Sequence, residues 1–122
     1  MNLWVISDLH GDHGGVTPKP PARADLAVVA GDVVDDDWLV ETAHILPVVL
    51  VAGNHEFYGH EHSERLRALG QLGGVSFLEN ASVSLGAVRF VGATLWTDLW
   101  SRPDGHAGRT RGHERPPIDH MA

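Results

Sequence analysis

The sequence predicts an α/β fold in which strands and helices alternate before the chain changes to short strands. Three short apolar runs in the first half of the chain are suited to buried strands: 2–7, 25–30 and 48–52. Helical patterns follow the second and third runs, and a segment rich in strand signals follows Gly73-Gly74. This order favours a layered domain built on a parallel sheet.

The first two strands are separated by an irregular crossing. Asn2–Ser7 is short, apolar and rich in β-forming residues, so it predicts the first strand. Gly11–Ala24 is rich in glycine and proline and cannot form a long helix, so we expect a loop there. Asp25–Ala30 predicts the second strand and Val48–Ala52 the third.

The first predicted helix lies between the second and third strands. A carboxylate within Asp35–Asp37 can cap it, and it runs to about Leu46 because Pro47 bars continuation. We expect its buried side to consist of its large apolar residues: Trp38, Leu39, Ile45 and Leu46.

A second helix is predicted over Glu61–Leu72. Leucines recur there at three-residue spacing, at Leu66, Leu69 and Leu72, which gives the helix an apolar side. Glu61 stands four residues before Arg65, so we expect the two side chains to meet one turn apart.

The predicted domain ends with three short strands, and a tail follows from residue 101. Val75–Leu78, Ser82–Leu85 and Val88–Gly92 predict short antiparallel strands, with Gly86-Ala87 as a tight hairpin turn. Residues 101–122 contain mainly arginine, proline, glycine and histidine, which predicts a disordered tail after a domain at 1–100.

Composition narrows the classes of function. The 122-residue chain has a net charge of −7, and the first hundred residues hold five Lys and Arg against thirteen Asp and Glu. No basic patch is present, so nucleic acid is not an expected partner. Cysteine is absent, which excludes disulfides and thiolate metal sites. No signal peptide or membrane span is predicted, so a cytoplasmic protein with no membrane partner is the default expectation.

Three polar clusters follow the three predicted strands: Asp8-Leu9-His10, Gly31-Asp32-Val33-Val34-Asp35 and Gly53-Asn54-His55-Glu56. The ends of parallel strands converge at one edge of a sheet, so these side chains can share a pocket. Carboxylates, imidazoles and an amide form a ligand set that suits divalent metal ions.

Each cluster also has a simpler interpretation. Asp8 is a common residue type in a turn after a strand, although Asp8 and His10 would face one side in an extended segment. Asp32 could cap a helix, but the neighbouring aspartates can fill that role and leave Asp32 to bridge two metals. Asn54 and His55 could belong to an ordinary loop. Alternatively, Asn54 could be a hard neutral metal ligand, and His55 could be a ligand or a proton donor.

Other phosphate-handling and hydrolase signatures are missing from the sequence. It contains no Gly-x-x-x-x-Gly-Lys loop, no Gly-x-Gly-x-x-Gly turn and no Gly-x-Ser-x-Gly nucleophile elbow. The ordered polar clusters are therefore the main guide to function.

Taken in order, the three clusters resemble those of the calcineurin-like metallophosphoesterase family. Val88–Asp98, which contains Thr94-Leu95-Trp96-Thr97-Asp98, is similar to small bacterial members of that family. The resemblance covers about residues 1–100, and it implies a four-layer α/β/β/α sandwich, present here only in part.

The resemblance also implies a chemistry. Two divalent metal ions (manganese, iron, zinc or nickel) would lie at the strand ends, with Asp8 and His10 on the first, Asp32 bridging both and Asn54 on the second. A hydroxide between the metals would attack the phosphorus of a phosphate-ester substrate. His55 would act on the leaving group.

Two supporting roles follow from the same resemblance. Asp35 would orient His55 as the second catalytic residue. Glu56 would support the loop rather than touch the substrate.

The family pattern continues with a later histidine and a Gly-His-x-His motif, and this chain has neither. Gly105-His106 and Gly112-His113 each lack the second histidine. One hypothesis is an enzyme active as it stands, completed by histidines of the tail (His106, His113 or His120) or by a second chain. Another is a truncated member with weak or no activity, and a third is a non-catalytic metal-binding or interaction module that recruits a partner to an exposed sheet.

Overall fold

Four of the predicted strands form one parallel sheet in the computed structural model, which describes residues 1–96. The strands are β1 (Leu3–Ile6), β2 (Leu26–Ala30), β3 (Val48–Val51) and β4 (Val75–Phe77), and they lie side by side in chain order. The α/β class is thus confirmed. The predicted tail at 101–122, with its three histidines, lies outside the described residues.

The fourth strand differs from the prediction in its direction. Val75–Leu78 was grouped with the antiparallel strands, but β4 pairs parallel to β3, with Leu50 beside Phe77. The reason is the preceding helix, because a helical crossover returns the chain to the same end of the sheet before the next strand begins. Composition indicates a strand here but does not reveal its direction.

The first helix, α1 (Asp36–Ala43), begins as predicted and ends early. Asp35 is its N-cap and accepts a hydrogen bond from the Trp38 amide at 2.9 Å. The expected end at Leu46 is wrong by three residues, and Ile45 is 69% exposed rather than buried. A looser turn follows Ala43 and carries the chain outward before Leu46 returns to the core.

The second helix, α2 (His62–Gly70), is capped by Glu61, whose carboxylate accepts from the amides of Ser63 and Glu64. These hydrogen bonds, with that from the Ser63 hydroxyl foremost, lower the pKa of Glu61 to about 2. The predicted pairing with Arg65 is wrong, because Glu61 is engaged at the helix start and Arg65 binds Asp36 instead.

The last two described strands form a hairpin. β5 (Ala81–Leu85) and β6 (Val88–Gly92) pair antiparallel, and Gly86 supplies the positive φ of 59° that the turn requires. This part of the prediction is confirmed.

The parallel sheet separates two apolar clusters. One face packs against α1 and α2 and carries most of the core, including Val29, Leu50 and Leu69. The other face packs Leu26, Val49 and nearby residues against the β5–β6 hairpin. Helices, sheet and hairpin therefore make a partial version of the expected sandwich.

Among the residues that the structure describes, the hairpin leaves β1 uncovered on its side of the sheet. Leu3 and Val5 pair with Leu26 and Val28 and share their face, yet they are 46% and 66% exposed. In residues 1–96, no helix is long and apolar enough to cross a bilayer.

Candidate metal centre

The loops after β1 and β2 run side by side beyond the strands themselves. The Asp8 amide donates to the Gly31 carbonyl at 3.0 Å, and the His10 amide donates to the Asp32 carbonyl at 2.9 Å. The Gly11 amide continues the series to Val33 at 2.8 Å. Backbone pairing therefore brings the first two polar clusters together, as the sheet-edge argument predicts.

The backbone in these loops is strained at three candidate ligand residues and also at Val34, whose φ is 50°. Asp8, His10 and Asp32 have φ values of 58°, 51° and 55°, in the left-handed region that favours glycine. Such a conformation costs on the order of 1–3 kcal/mol per residue and concentrates at functional sites. The extended geometry expected for Asp8 and His10 is therefore wrong, although their side chains still meet.

Glu56 fixes the loops from inside the protein. Its side chain is only 1% exposed. Its carboxylate accepts four backbone amides from two loops: Asp32 at 2.9 Å, Val33 at 2.7 Å, Val34 at 3.2 Å and Gly53 at 2.6 Å. Charge-assisted bonds of this kind are stronger than neutral ones. The structure agrees with the expectation that Glu56 supports the loop.

Arg65 connects this loop to both helices. Its Nε donates to the Glu56 carbonyl at 2.9 Å, and its two terminal nitrogens bind Asp36 in a bidentate pair at 2.7 Å each. The hydrogen bonds to Asp36 raise the pKa of Arg65, so the guanidinium stays charged. The second and third polar clusters are thus anchored to the helical layer.

Two overlapping groups of side chains could hold metal ions. Asp8, His10 and Asp32 bring one ligand atom each to within 4.8 Å of one another. His10, Asp12 and His55 form a second group by the same measure. His10 belongs to both groups, and its Nε2 lies 3.6 Å from an oxygen of Asp8.

Asp32 is held by the third cluster. One of its oxygens accepts from the His55 amide at 3.0 Å. A Cβ on Gly53 would stand 2.1 Å from that same oxygen, so only glycine fits beside the carboxylate. The loop after β3 is therefore shaped around Asp32.

Asn54 lies between Gly53 and His55, which both contact Asp32, and it precedes the 3₁₀ turn His55–Phe57. Its side-chain amide donates to the Tyr58 hydroxyl, and the residue is exposed. Asn54 therefore borders the centre, and its role as a metal ligand stays a prediction.

The carboxylate that contacts Nδ1 of His55 is that of Asp12. Asp12 Oδ2 lies 2.9 Å from His55 Nδ1, whereas Asp35 caps α1. The hydrogen bond between them raises the pKa of His55 and lowers the pKa of Asp12. One oxygen of Asp35 accepts from the Trp38 amide at the start of α1, and the role of Asp35 in orienting His55 stays a prediction. The only sequence signal for Asp12 was its place two residues after His10.

The residues present fit a divalent metal ion. Carboxylate oxygens and imidazole nitrogens are its usual ligands. The Nδ1 atom of His10 is buried without a hydrogen-bond partner, which is an unusual state for a polar atom. Two carboxylates, Asp8 and Asp12, lie within 4.0 Å of the two nitrogens of the His10 ring.

The fold and this ligand cluster define an α/β protein with a candidate metal centre at the carboxyl edge of a parallel sheet. A family model described as calcineurin-like phosphoesterase matches residues 1–115. The chain therefore belongs to the calcineurin-like phosphoesterase family. Neither the curated proteins nor the solved structures gave a match to this chain.

Proposed function

We propose that this chain is a metal-dependent phosphoesterase domain that hydrolyses phosphate esters. The observation that carries the proposal is the convergence of Asp8, His10 and Asp32 to within 4.8 Å, at the strand edge of a chain of this family. The strained backbone at all three residues supports it, since such strain persists where function requires it.

Each side chain has a role in this proposal. Asp8, His10 and Asp32 hold the metal, with Asn54 as a further ligand at the edge of the centre. Two bound divalent ions, of manganese, iron, zinc or nickel, would supply an activated nucleophile and neutralise charge on the phosphoryl oxygens. Since Asp12 engages His55 Nδ1, the ring's Nε2 is the atom that protonates the leaving oxygen when the phosphorus–oxygen bond breaks.

We propose weak turnover for the chain alone. The candidate ligand groups of the described residues contain two imidazoles, those of His10 and His55. The family's later histidine and its Gly-His-x-His motif are missing from the sequence. Fewer ligands lower metal affinity, so activity requires a high metal concentration. A cytoplasmic location is part of the proposal.

A second candidate function is a non-catalytic interaction module. The exposure of Leu3 and Val5 beside the β5–β6 hairpin favours it, because an uncovered apolar sheet face is a surface on which a second chain can pack.

One experiment separates the two candidates. The purified chain is assayed for manganese binding and for hydrolysis of a chromogenic phosphodiester and a monoester. Asp32→Asn is the test variant, and Asp37→Asn, on the exposed start of α1, is the matched control. Manganese-dependent turnover that Asp32→Asn abolishes and Asp37→Asn retains supports the phosphoesterase. Absence of turnover at saturating manganese overturns it, and absence of both metal binding and turnover favours the second candidate.

A further inference from the structure

We propose that Asp12 is a positioning residue that serves both imidazoles of the centre, His10 and His55, through its two carboxylate oxygens. The inference rests on the proposed function, because it assigns His10 to a metal and His55 to the leaving group. It adds a residue outside the three polar clusters.

The carboxylate of Asp12 lies near the Nδ1 atoms of both His55 and His10. Asp12 Oδ2 lies 2.9 Å from His55 Nδ1, and Asp12 Oδ1 lies 4.0 Å from His10 Nδ1. The two rings themselves are adjacent, with centroids 4.5 Å apart and planes inclined at 69°. The exposed ring of His13 is a third neighbour, and its Nε2 lies 3.5 Å from Asp12 Oδ2, the oxygen already engaged by His55. The other oxygen, Oδ1, is the one on the side of His10.

As a metal ligand, His10 would need an acceptor for the proton on its Nδ1, and Asp12 Oδ1 could fill that role. Its Nε2 faces Asp8, which belongs to the same ligand group. An imidazole that ligates through Nε2 carries its proton on Nδ1, and metal-binding histidines almost always donate that proton to a carboxylate, carbonyl or water. His10 Nδ1 is buried without a partner, and Asp12 supplies the carboxylate 4.0 Å away.

The backbone around Asp12 is anchored rather than loose. Asp12 is the middle residue of the 3₁₀ turn Gly11–His13. The Gly11 amide donates to Val33, and a Cβ on Gly11 would stand 2.5 Å from the Val34 carbonyl, so the turn packs directly on the loop after β2. The position of the carboxylate is therefore set by the same pairing that assembles Asp8 and Asp32.

The competing role for Asp12 is direct metal ligation with His10 and His55, the second ligand group. The two roles differ in a measurable way. A positioning carboxylate changes metal affinity and ring tautomers but leaves the number of bound ions unchanged. A ligand that is removed takes an ion with it.

The test compares wild type with Asp12→Asn, and Asp37→Asn serves as a matched control. Long-range ¹H–¹⁵N NMR of the histidine rings, recorded without metal and with Cd²⁺, reports which nitrogen of His10 and His55 is protonated. Calorimetric titration with Mn²⁺ reports affinity and stoichiometry, and thermal unfolding confirms that the variant folds.

We expect His55 in the metal-free wild type to carry a proton on Nδ1, and Asp12→Asn to weaken that preference. We expect Mn²⁺ affinity to fall about 10- to 100-fold in Asp12→Asn at unchanged stoichiometry. Unchanged ring spectra with unchanged affinity overturn the proposal, and so does the loss of a bound ion. The metal-free His55 spectrum is independent of turnover, so a chain without phosphoesterase activity can still confirm or refute the role of Asp12 at that ring.

Discussion

Among single residues, Glu56 has the largest structural role in the centre. Four backbone amides converge on one carboxylate that is 1% exposed, and they come from the loops after β2 and β3. A buried donor that loses its acceptor costs about 1–3 kcal/mol. The geometry of Asp32 therefore depends on a residue that belongs to neither candidate ligand group.

We predict that Glu56→Gln lowers the free energy of unfolding by about 2–4 kcal/mol, because the glutamine NH₂ would face backbone amides that now donate to an oxygen. Urea denaturation followed by circular dichroism measures the change. The control is Glu41→Gln on the exposed side of α1, which we expect to stay within about 0.5 kcal/mol of wild type. Equal stability of both variants would contradict the role assigned to Glu56.

For single residues, the sequence predicts which side chains are candidate ligands better than it predicts which side chains they contact. Asp8, His10 and Asp32 could be selected because strand ends converge by rule, and the structure brings them together. Asp12 could not be selected, since its approach to His55 depends on how a 3₁₀ turn packs on the next loop. The capping role of Asp35 could be predicted, because a helix cap depends on local sequence and needs no tertiary contact.

Among the elements, α2 depends on the side chain that caps it. Glu61 accepts the first amides of the helix, and its pKa of about 2 lies below its ordinary value of 4.5. A carboxyl group with a depressed pKa stabilises the folded state fully above pH 4.5. That contribution is lost as the pH falls through about 2, where the group becomes protonated in both states.

We predict that Glu61→Gln lowers the thermal midpoint at pH 6 and that this difference disappears as the pH approaches 2. The effect is modest because Glu61 is exposed to solvent. Thermal unfolding by circular dichroism at stepped pH values measures it, with Glu64→Gln on the same helix as the control. A difference between wild type and Glu61→Gln that stays constant from pH 6 to pH 2 would refute the capping account.

Elements were predictable where local signals were sufficient. β2, β3 and β6 follow their apolar runs closely. The first helix begins after a predicted cap, and the second begins one residue after its predicted start at Glu61 and ends two residues before Leu72. The end of α1 and the direction of β4 were not predictable, because the first depends on a looser last turn and the second on a crossover that precedes the strand.

Within residues 1–96, the parallel sheet has one covered face and one partly covered face. Helices pack on the first, whereas the hairpin on the second leaves Leu3 and Val5 of β1 exposed. β1 is also an edge strand of the parallel sheet. An apolar edge of this kind binds other apolar surfaces.

We predict that the chain enhances the fluorescence of the dye ANS, and that Val5→Lys lowers this enhancement by interrupting the apolar face. Val16→Lys is the control, since Val16 is 74% exposed but lies in the loop before β2. Equal dye binding by the two variants would show that the face around Val5 is not the site.

The left-handed backbone at Asp8, His10 and Asp32 has a consequence for evolution and engineering. Glycine adopts that conformation without strain, so selection for thermal tolerance alone would favour glycine at all three positions. Each such replacement would relax the chain and erase a candidate ligand. A stabilised variant that is meant to keep the proposed metal centre should therefore leave these positions unchanged.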